Sequence, residues 1–438
     1  MNARSPSADM TECFARSTMS EGLADERLSP RAEEGLQVGT DSLRILLNAT
    51  LEELRGRGGD VMVYRNWVRL GDERLLFQTL PSSWRRRTQA FLRKACDKLA
   101  RAWEPRVVRR ALLVTARFLY LPPRATSEAD LLLSHICFPF PHPRIPVIWS
   151  SQGISPAMYY ERCGQWSLED VIFLYRVLGP RAQALLIATE SGARHLLRWC
   201  PELEAKTHVV PAPVLVPSDV PETKPSQRDG IIRLLFVGLD PVLKGLPELL
   251  DAYEWLRRRH ARLHLDIVAR RFDRKLRERL WEISKPSGAW GLRVHPPLPH
   301  RRVLELMREA DLFVSPTHAD TYAIAAVEAM AHRCAIVISN FDPLPELFPD
   351  AEVGFLVAPG DVRGLIERLE TLIANPDLLR RFQENARRRY LAVHDPARVR
   401  RKLEAVFERV RADARHSRHC CSAGGEQGMG PSVLGAQG

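Results

Sequence analysis

The sequence predicts an α/β protein in which two doubly wound domains with parallel sheets face each other across a cleft. From Ile231 onward, short apolar runs of strand length alternate with amphipathic stretches of helix length. Similar apolar runs recur over 41–215, and a stretch rich in proline and polar residues over 216–230 separates the two parts. The length of 438 residues and a hydrophobic content of 45% are enough for two cores, which excludes collagen-like, miniature disulfide-rich and wholly disordered proteins.

The first domain is predicted to cover residues 41–215. Its apolar runs are continuous rather than alternating, which suits strands that are buried on both faces of a parallel sheet. The predicted strands lie at 43–48, 60–64, 130–135, 145–150, 184–189 and 208–214. Residues 1–40 mix acids and arginines with Ser, Gly and Pro, and we expect them to form a disordered arm.

The second domain is predicted to cover residues 231–415, followed by a disordered tail over 416–438. Its strands are predicted at 233–239, 263–268, 312–316, 335–340 and 354–359, and its helices near 246–256, 303–310, 323–331 and 362–373. Asp361 stands where the last of these helices needs an N-cap.

The cysteines and the hydropathy pattern bear on the compartment. The eight cysteines are scattered and form no Cys-x-x-Cys pair, so neither a zinc site nor a thioredoxin-like motif is indicated. The N-terminal residues lack the apolar centre of a secretory signal, and no run of 18 apolar residues is long enough to span a bilayer. We therefore expect a cytoplasmic protein whose membrane contact, where it exists, is peripheral.

The net charge of +11 suits an anionic partner, and most of the excess lies in one window. Residues 81–117 hold eleven Lys or Arg and two acids, with apolar positions at helical spacing. One interpretation is a solvated helix with one face in the core. Another is a surface for the acceptor or for anionic lipid at the inner face of the plasma membrane. Nucleic-acid binding is disfavoured because no matching motif accompanies the charge. The residues predicted for this surface are Arg85, Arg86, Arg87, Arg93, Lys94 and Trp103.

Two carboxylates stand out in the second domain. Asp320 follows the apolar strand 312–316, and Glu328 lies in the otherwise apolar helix 323–331. A carboxylate there is costly to bury without a partner, so Glu328 either faces a solvent stripe or serves a site. The backbone N–H groups from Thr321 to Ala323 begin this helix and are suited to holding a phosphate.

A lysine loop follows the first strand of the same domain. In FVGLDPVLKG a strand runs into a loop with Gly238, and the loop ends in Lys244-Gly245 just before a helix that opens near Pro247. Open α/β sheets bind ligands at the carboxyl edge of their strands, where such a lysine reaches the cleft. The alternative is an ordinary solvated lysine on a strand-to-helix loop.

The second half resembles glycosyltransferase group 1, the family 4 retaining enzymes with the two-domain GT-B fold. The resemblance is carried by FVG…KG, ADLFVSPT, the acid pair Asp320 and Glu328, EAMA, Pro345-Glu346 and GFLVAPGD, which together span about 170 residues in order. In the first half it is thinner and rests on LIATESGARHLL followed by VVPAPV.

This resemblance implies a metal-independent transfer of a hexose from a nucleoside-diphosphate sugar to a glycan or lipid-linked acceptor, without a cofactor. None of the 22 aspartates forms an Asp-x-Asp pair. Glu328 would bind the ribose of the donor, Asp320 the sugar hydroxyls and Lys244 the diphosphate that leaves. The remaining donor-binding residues that it implies are Gly238, Thr321, Tyr322 and, across the cleft, Gln152.

Several positions depart from the family pattern and keep two alternatives open. Leu239 stands where an arginine is usual, Thr321 and Ala323 where glycines are common, and Gln152 where a histidine is frequent. A catalytically silent GT-B protein that serves as a binding or assembly partner in polysaccharide synthesis is the first alternative. A basic protein whose main function is surface binding is the second.

Overall fold

The structure is a computed structural model. It describes residues 42–50, most of 66–80, 129–135, 145–154, 167–217, a few positions of 218–229, 230–283 and 291–423. The predicted strand at 60–64 and the whole basic window over 81–117 lie outside the described residues, and so does the predicted arm over 1–40.

The first sheet is parallel and has the order β2-β1-β3-β4-β5-β6 in the described part of the chain. Its strands are β1 Leu43–Thr50, β2 Leu75–Leu80, β3 Leu131–His135, β4 Val147–Ser151, β5 Ala184–Ile187 and β6 Thr207–Val209. Buried side chains at every position of β3, β4 and β5 explain why their sequences read as continuous apolar runs.

The second sheet is also parallel, with the order β12-β11-β10-β7-β8-β9. Its strands are β7 Ile232–Gly238, β8 Leu263–Ala269, β9 Leu292–His295, β10 Leu312–Ser315, β11 Ala335–Ser339 and β12 Gly354–Val357. From β7 the chain builds the sheet outward through β8 and β9, then returns to the other side of β7 with β10. The direction of winding therefore reverses between β7 and β10, and a crevice opens outside their carboxyl ends.

Helices cover the sheets and connect their strands. The first domain has α1 Leu168–Leu178 and α2 Glu190–Trp199 among its described residues. Those that follow are α3 Leu246–Arg257, α4 Arg274–Ile283, α5 His300–Glu309, α6 Ile324–Ala331, α7 Leu344–Leu347, α8 Val362–Ala374, α9 Pro376–Val393 and α10 Pro396–Ala423. Asp361 caps α8 by accepting a hydrogen bond from the Gly364 amide at 2.9 Å, as the sequence predicts.

One hydrophobic core of the protein contains residues of both domains. One face of the second sheet packs on α3, α4 and α8 in a cluster of its own. The other face packs on α5, α6 and α9, and the same cluster continues through α10 to residues of β1 and β3. Burial, and to a lesser degree the Arg409 guanidinium of α10, lower the pKa of His208 on β6, so this end of α10 lies near the first domain.

Three details differ from the sequence expectations. β2 and β9 are strands that the apolar pattern does not predict, because both are edge strands with polar or half-exposed positions. The predicted strand at 208–214 is limited to its beginning, since Pro211 and Pro213 lack the N–H that a ladder needs. The tail predicted to be disordered from 416 is helical as far as Ala423, where α10 ends.

Within the described residues, no helix is long and apolar enough to cross a membrane.

Candidate active site

The crevice at the switch between β7 and β10 is formed by two loops. We call residues 239–245 the lysine loop and residues 316–323 the aspartate loop. They meet closely at Gly245, whose φ of 78° is left-handed and whose Cβ, were it present, would lie 2.0 Å from the Pro316 carbonyl oxygen. Glycine is required there for both reasons, since a side chain would be strained and would collide with backbone.

Backbone hydrogen bonds join the two loops. The His318 amide donates to the Leu243 carbonyl oxygen at 2.9 Å, and the Thr317 hydroxyl donates to the same oxygen at 3.2 Å. His318 Nε2 also lies 2.7 Å from Glu248 Oε1 in the first turn of α3. Hydrogen bonds therefore hold the lysine loop and the aspartate loop together where they form the crevice.

Lys244 and Asp320 form an ion pair in this crevice. Lys244 Nζ lies 2.6 Å from Asp320 Oδ2 and 3.2 Å from the Ala319 carbonyl oxygen. The side chains are 20% and 13% exposed, so both are largely enclosed and still open to the crevice. The two residues predicted to serve the sugar and the diphosphate are brought into direct contact.

Asp320 also satisfies the start of α6. Its Oδ1 accepts hydrogen bonds from the Thr321, Tyr322 and Ala323 amides at 2.8, 3.3 and 2.8 Å. Burial by itself would raise the pKa of Asp320, but the Lys244 ammonium and these amides outweigh it and hold the pKa below its ordinary value. The amides expected to hold a phosphate are thus bonded to a carboxylate of the chain itself.

Ala323 lies at the junction between the aspartate loop and α6. Its φ of 49° places a residue with a Cβ in the left-handed region that favours glycine. Such a conformation costs roughly 1–2 kcal/mol and persists where surrounding contacts enforce it. Ala323 therefore holds the junction in a strained backbone conformation.

Glu328 lies on α6, and the structure decides between its two predicted environments. The residue is 4% exposed, so it does not face a solvent stripe. Its Oε1 accepts a hydrogen bond from His300 Nε2 at 2.8 Å. Sequence reasoning missed His300, the first residue of α5, because only the packing of α5 against α6 brings it to a carboxylate 28 positions away.

The first domain contributes the loop after β4. Gln152 is 4% exposed there, and the adjacent Gly153 has a φ of 81°. A Cβ on Gly153 would lie 2.6 Å from the Gly192 carbonyl oxygen, so this loop rests directly on the first turn of α2. The predicted residue Gln152 is therefore placed beside the N-terminus of α2.

The N-terminus of α2 receives a carboxylate from the second domain. The Glu190 and Ser191 amides donate to Glu346 Oε1 and Oε2 at 2.8 and 2.6 Å. Nearby, His195 Nε2 lies 2.8 Å from Asp342 Oδ2. Negative charge is favourable at a helix N-terminus, so Glu346 fixes the second domain to the first beside Gln152.

The remaining predicted site residues divide into two groups. Gly238 is the buried last residue of β7, and Thr321 is partly exposed in the aspartate loop. Tyr322 is only 1% exposed, and its hydroxyl bonds the Ala212 amide while its backbone N–H bonds Asp320. The residues of the predicted basic surface lie outside the described residues: Arg85, Arg86, Arg87, Arg93, Lys94 and Trp103.

Among the described residues no group of three or more His, Cys, Asp or Glu is arranged to hold a metal ion.

Two curated relatives of this chain are named as mannosyltransferases. The MMP alpha-(1->4)-mannosyltransferase of Mycolicibacterium hassiacum is 30% identical over 231 residues, which cover 52% of this chain and 54% of the relative. The phosphatidyl-myo-inositol mannosyltransferase of Mycobacterium leprae is 31% identical over 188 residues, which cover 40% of this chain and 46% of the relative. This chain thus spans about half the length of the curated relatives it matches.

Solved structures share the fold at low identity. Sucrose-phosphate synthase from Thermosynechococcus elongatus superposes with a TM-score of 0.59 at 14% identity, over 85% of this chain and all of that chain. Alr3699/HepE of Anabaena, solved in complex with UDP, gives a TM-score of 0.56 at 14% identity, over 84% of this chain and 99% of that one. These likenesses and the two doubly wound sheets confirm the predicted GT-B fold.

The family description that matches the chain is "Glycosyl transferases group 1", over residues 223–389, which include both loops, Glu328 and Glu346. The second domain of this chain is therefore similar to glycosyl transferases group 1.

Proposed function

We propose that the protein is a retaining glycosyltransferase that moves a hexose from a nucleoside-diphosphate sugar to a glycan or lipid-linked acceptor. The observation that supports this most directly is the Lys244–Asp320 pair at the switch between β7 and β10, with buried Glu328 on the helix that begins there. The donor has three parts that these side chains match: Lys244 suits the diphosphate, Asp320 suits the sugar hydroxyls, and the buried Glu328 suits the ribose.

The proposed roles follow from charge and placement. Glu328, held by His300, is suited to accept hydrogen bonds from ribose hydroxyls. Lys244 would exchange its contact with Asp320 for the diphosphate, and the freed carboxylate would accept hydrogen bonds from the sugar hydroxyls. The proposal assigns the neutralisation of the departing diphosphate to Lys244 and not to a divalent cation.

In the proposed reaction the bond between the anomeric carbon and the β-phosphate oxygen breaks. The acceptor hydroxyl oxygen bonds to the same carbon on the same face, and its proton leaves with the nucleoside diphosphate. Negative charge grows on the departing oxygen in an oxocarbenium-like transition state. A preorganised cation near that oxygen stabilises the transition state more than the bound donor, which is the basis of rate acceleration.

The first test is nucleotide release from a panel of UDP-, GDP- and ADP-sugars, with and without EDTA. Transfer activity should persist in EDTA, and Lys244→Ala and Glu328→Gln should each reduce it at least 100-fold. Lys275→Ala and Glu384→Ala are matched controls, since both residues are exposed on helices away from the crevice. The anomeric configuration of the product, read by NMR, tests retention.

A silent protein gives a different result in the same assay. The Asp320 carboxylate already occupies both the lysine and the helix amides, which is the observation that favours this alternative. Binding of a nucleotide sugar without turnover, for every acceptor tried, would support the silent protein and refute the enzyme.

We further propose peripheral docking of the basic window on anionic lipid at the inner face of the plasma membrane. Co-sedimentation with vesicles that contain phosphatidylglycerol should exceed that with phosphatidylcholine alone and should fall as salt increases. Charge reversal at Arg85, Arg86 and Arg87 should abolish it. Unchanged co-sedimentation of that variant would refute the proposal.

A further inference from the structure

Tyr322 connects the aspartate loop to the segment where the chain leaves the first domain. Its hydroxyl accepts a hydrogen bond from the Ala212 amide at 3.1 Å. Ala212 belongs to residues 210–216, which directly follow β6, the last strand of the first sheet. The side chain is 1% exposed, so this hydrogen bond is sheltered from water.

The same hydroxyl reaches the place where the chain returns. It lies 3.2 Å from Nδ1 of His394, which separates α9 of the second domain from α10. Burial lowers the pKa of His394 to about 3, so the imidazole is neutral and a hydrogen bond joins its Nδ1 to the Tyr322 hydroxyl. A relay runs from the Ala212 N–H through the Tyr322 hydroxyl to His394.

Tyr390 makes a similar bond beside this relay without belonging to a site loop. Its hydroxyl donates to the Val214 carbonyl oxygen at 2.8 Å, and its ring stacks on His394 at 6.2 Å between centroids. Tyr390 is also 1% exposed. The two tyrosines therefore hold the same outgoing segment by one hydroxyl each, and Tyr322 alone of these two belongs to the aspartate loop.

We propose that Tyr322 is a positioning residue. Its hydroxyl fixes the aspartate loop to the two places where the chain passes between the domains, Ala212 on the way out of the first domain and His394 before α10. The geometry around Asp320 therefore depends on the arrangement of the domains. The Tyr322 backbone N–H bonds the Asp320 carboxylate while the hydroxyl bonds the crossing segment. A movement of residues 210–216 relative to the second domain therefore reaches the aspartate loop through Tyr322 alone. This inference rests on the proposed function for its catalytic consequence.

The test compares Tyr322→Phe with Tyr390→Phe in the full chain, because each removes one buried hydroxyl bonded to the same segment. With UDP-glucose or GDP-mannose as donor, Tyr322→Phe should lower kcat about tenfold, the equivalent of one buried hydrogen bond. Tyr390→Phe should stay within twofold of wild type. The Kd of UMP or GMP, which reports on ribose binding at Glu328, should change less than twofold in both.

Hydrogen–deuterium exchange provides a measurement that needs no ligand. Tyr322→Phe should speed the exchange of amides 317–323 and of 212 together, whereas Tyr390→Phe should leave 317–323 at the wild-type rate. Equal effects of both variants on kcat and on loop exchange would overturn the inference and reduce Tyr322 to an ordinary core residue. If wild type binds no nucleotide sugar, the proposed function fails by itself, and loop exchange alone then supports or overturns the mechanical link.

Discussion

Substitution of Asp320 by Asn separates the two roles that the ion pair gives to this carboxylate. The amide keeps an oxygen that can accept from the Thr321 and Ala323 amides, so the loop keeps its cap. It removes the negative charge that holds Lys244, whose Nζ lies 2.6 Å from Asp320 Oδ2. Free UDP or GDP should therefore bind more tightly to this variant, because the diphosphate no longer competes with Asp320 for the lysine.

The size of the effect follows from the geometry. Two unit charges 2.6 Å apart attract each other by about 6 kcal/mol at an effective dielectric constant of 20. The cost of removing the charges from water offsets most of this attraction. We expect a net competition of about 1–2 kcal/mol, which corresponds to about a tenfold gain in affinity for the nucleoside diphosphate.

Calorimetric titration of UDP and GDP into wild type, Asp320→Asn and Lys244→Met gives the required affinities. Transfer by Asp320→Asn should fall at least tenfold even though its diphosphate affinity rises, since the sugar loses its carboxylate partner. Lys244→Met should weaken diphosphate binding by a similar factor. Equal weakening in both variants would show that Asp320 does not compete with the diphosphate, and the reasoning would be wrong.

Three further predictions concern the framework of the site. Glu346→Gln should speed hydrogen exchange in the first turn of α2 about tenfold, because a charge-assisted hydrogen bond contributes about 1.5–3 kcal/mol. Gly245→Ala should lower the free energy of unfolding by more than about 2 kcal/mol and abolish nucleotide binding, since its Cβ would lie 2.0 Å from the Pro316 oxygen. Burial holds the pKa of three histidines at about 3 to 4, so they are neutral when folded and bind protons when unfolded below about pH 6.5. Lowering the pH from 7.5 to 5.5 should therefore cost roughly 1 kcal/mol for each in denaturant titrations. The three are His135, His332 and His394.

Matched variants check these three expectations. Glu384→Gln changes an exposed acid on α9 and should leave the exchange of α2 unchanged. Gly360→Ala introduces a Cβ at a φ of 79° that would make an ordinary van der Waals contact, 3.9 Å from His318 Cε1, so it measures the strain without the collision. His394→Asn should remove about a third of the pH dependence. An undiminished pH dependence in that variant would mean that other groups cause it.

Much of the fold could be predicted because it depends on local pattern. The strands in the interior of the second sheet are apolar runs in the sequence. Asp361 is an N-cap residue that marks the start of α8. β2 and β9 escape this reasoning, since they contain polar or half-exposed positions and do not read as apolar runs.

The candidate site was predictable in its residue types and less so in its contacts. Lys244, Asp320 and Glu328 were identified from a motif, and the structure brings Lys244 and Asp320 to hydrogen-bonding distance. His300 could not be identified in this way, because no short-range pattern links it to Glu328. Tyr322 was predicted as a donor-binding residue, yet its burial gives its side chain a different partner.

The sequence by itself determined two α/β domains, the loops that follow β7 and β10, and the acids and lysine that these loops carry. Spacing along the chain is sufficient for that, since periodicity and turn residues act over a few positions. The tertiary structure alone decided that Asp320 holds Lys244 and that Glu346 holds α2. It also decided that Tyr322 joins the aspartate loop to Ala212 and to His394. Each of these contacts joins residues 72 to 156 positions apart, which only the packing of sheets and helices brings together.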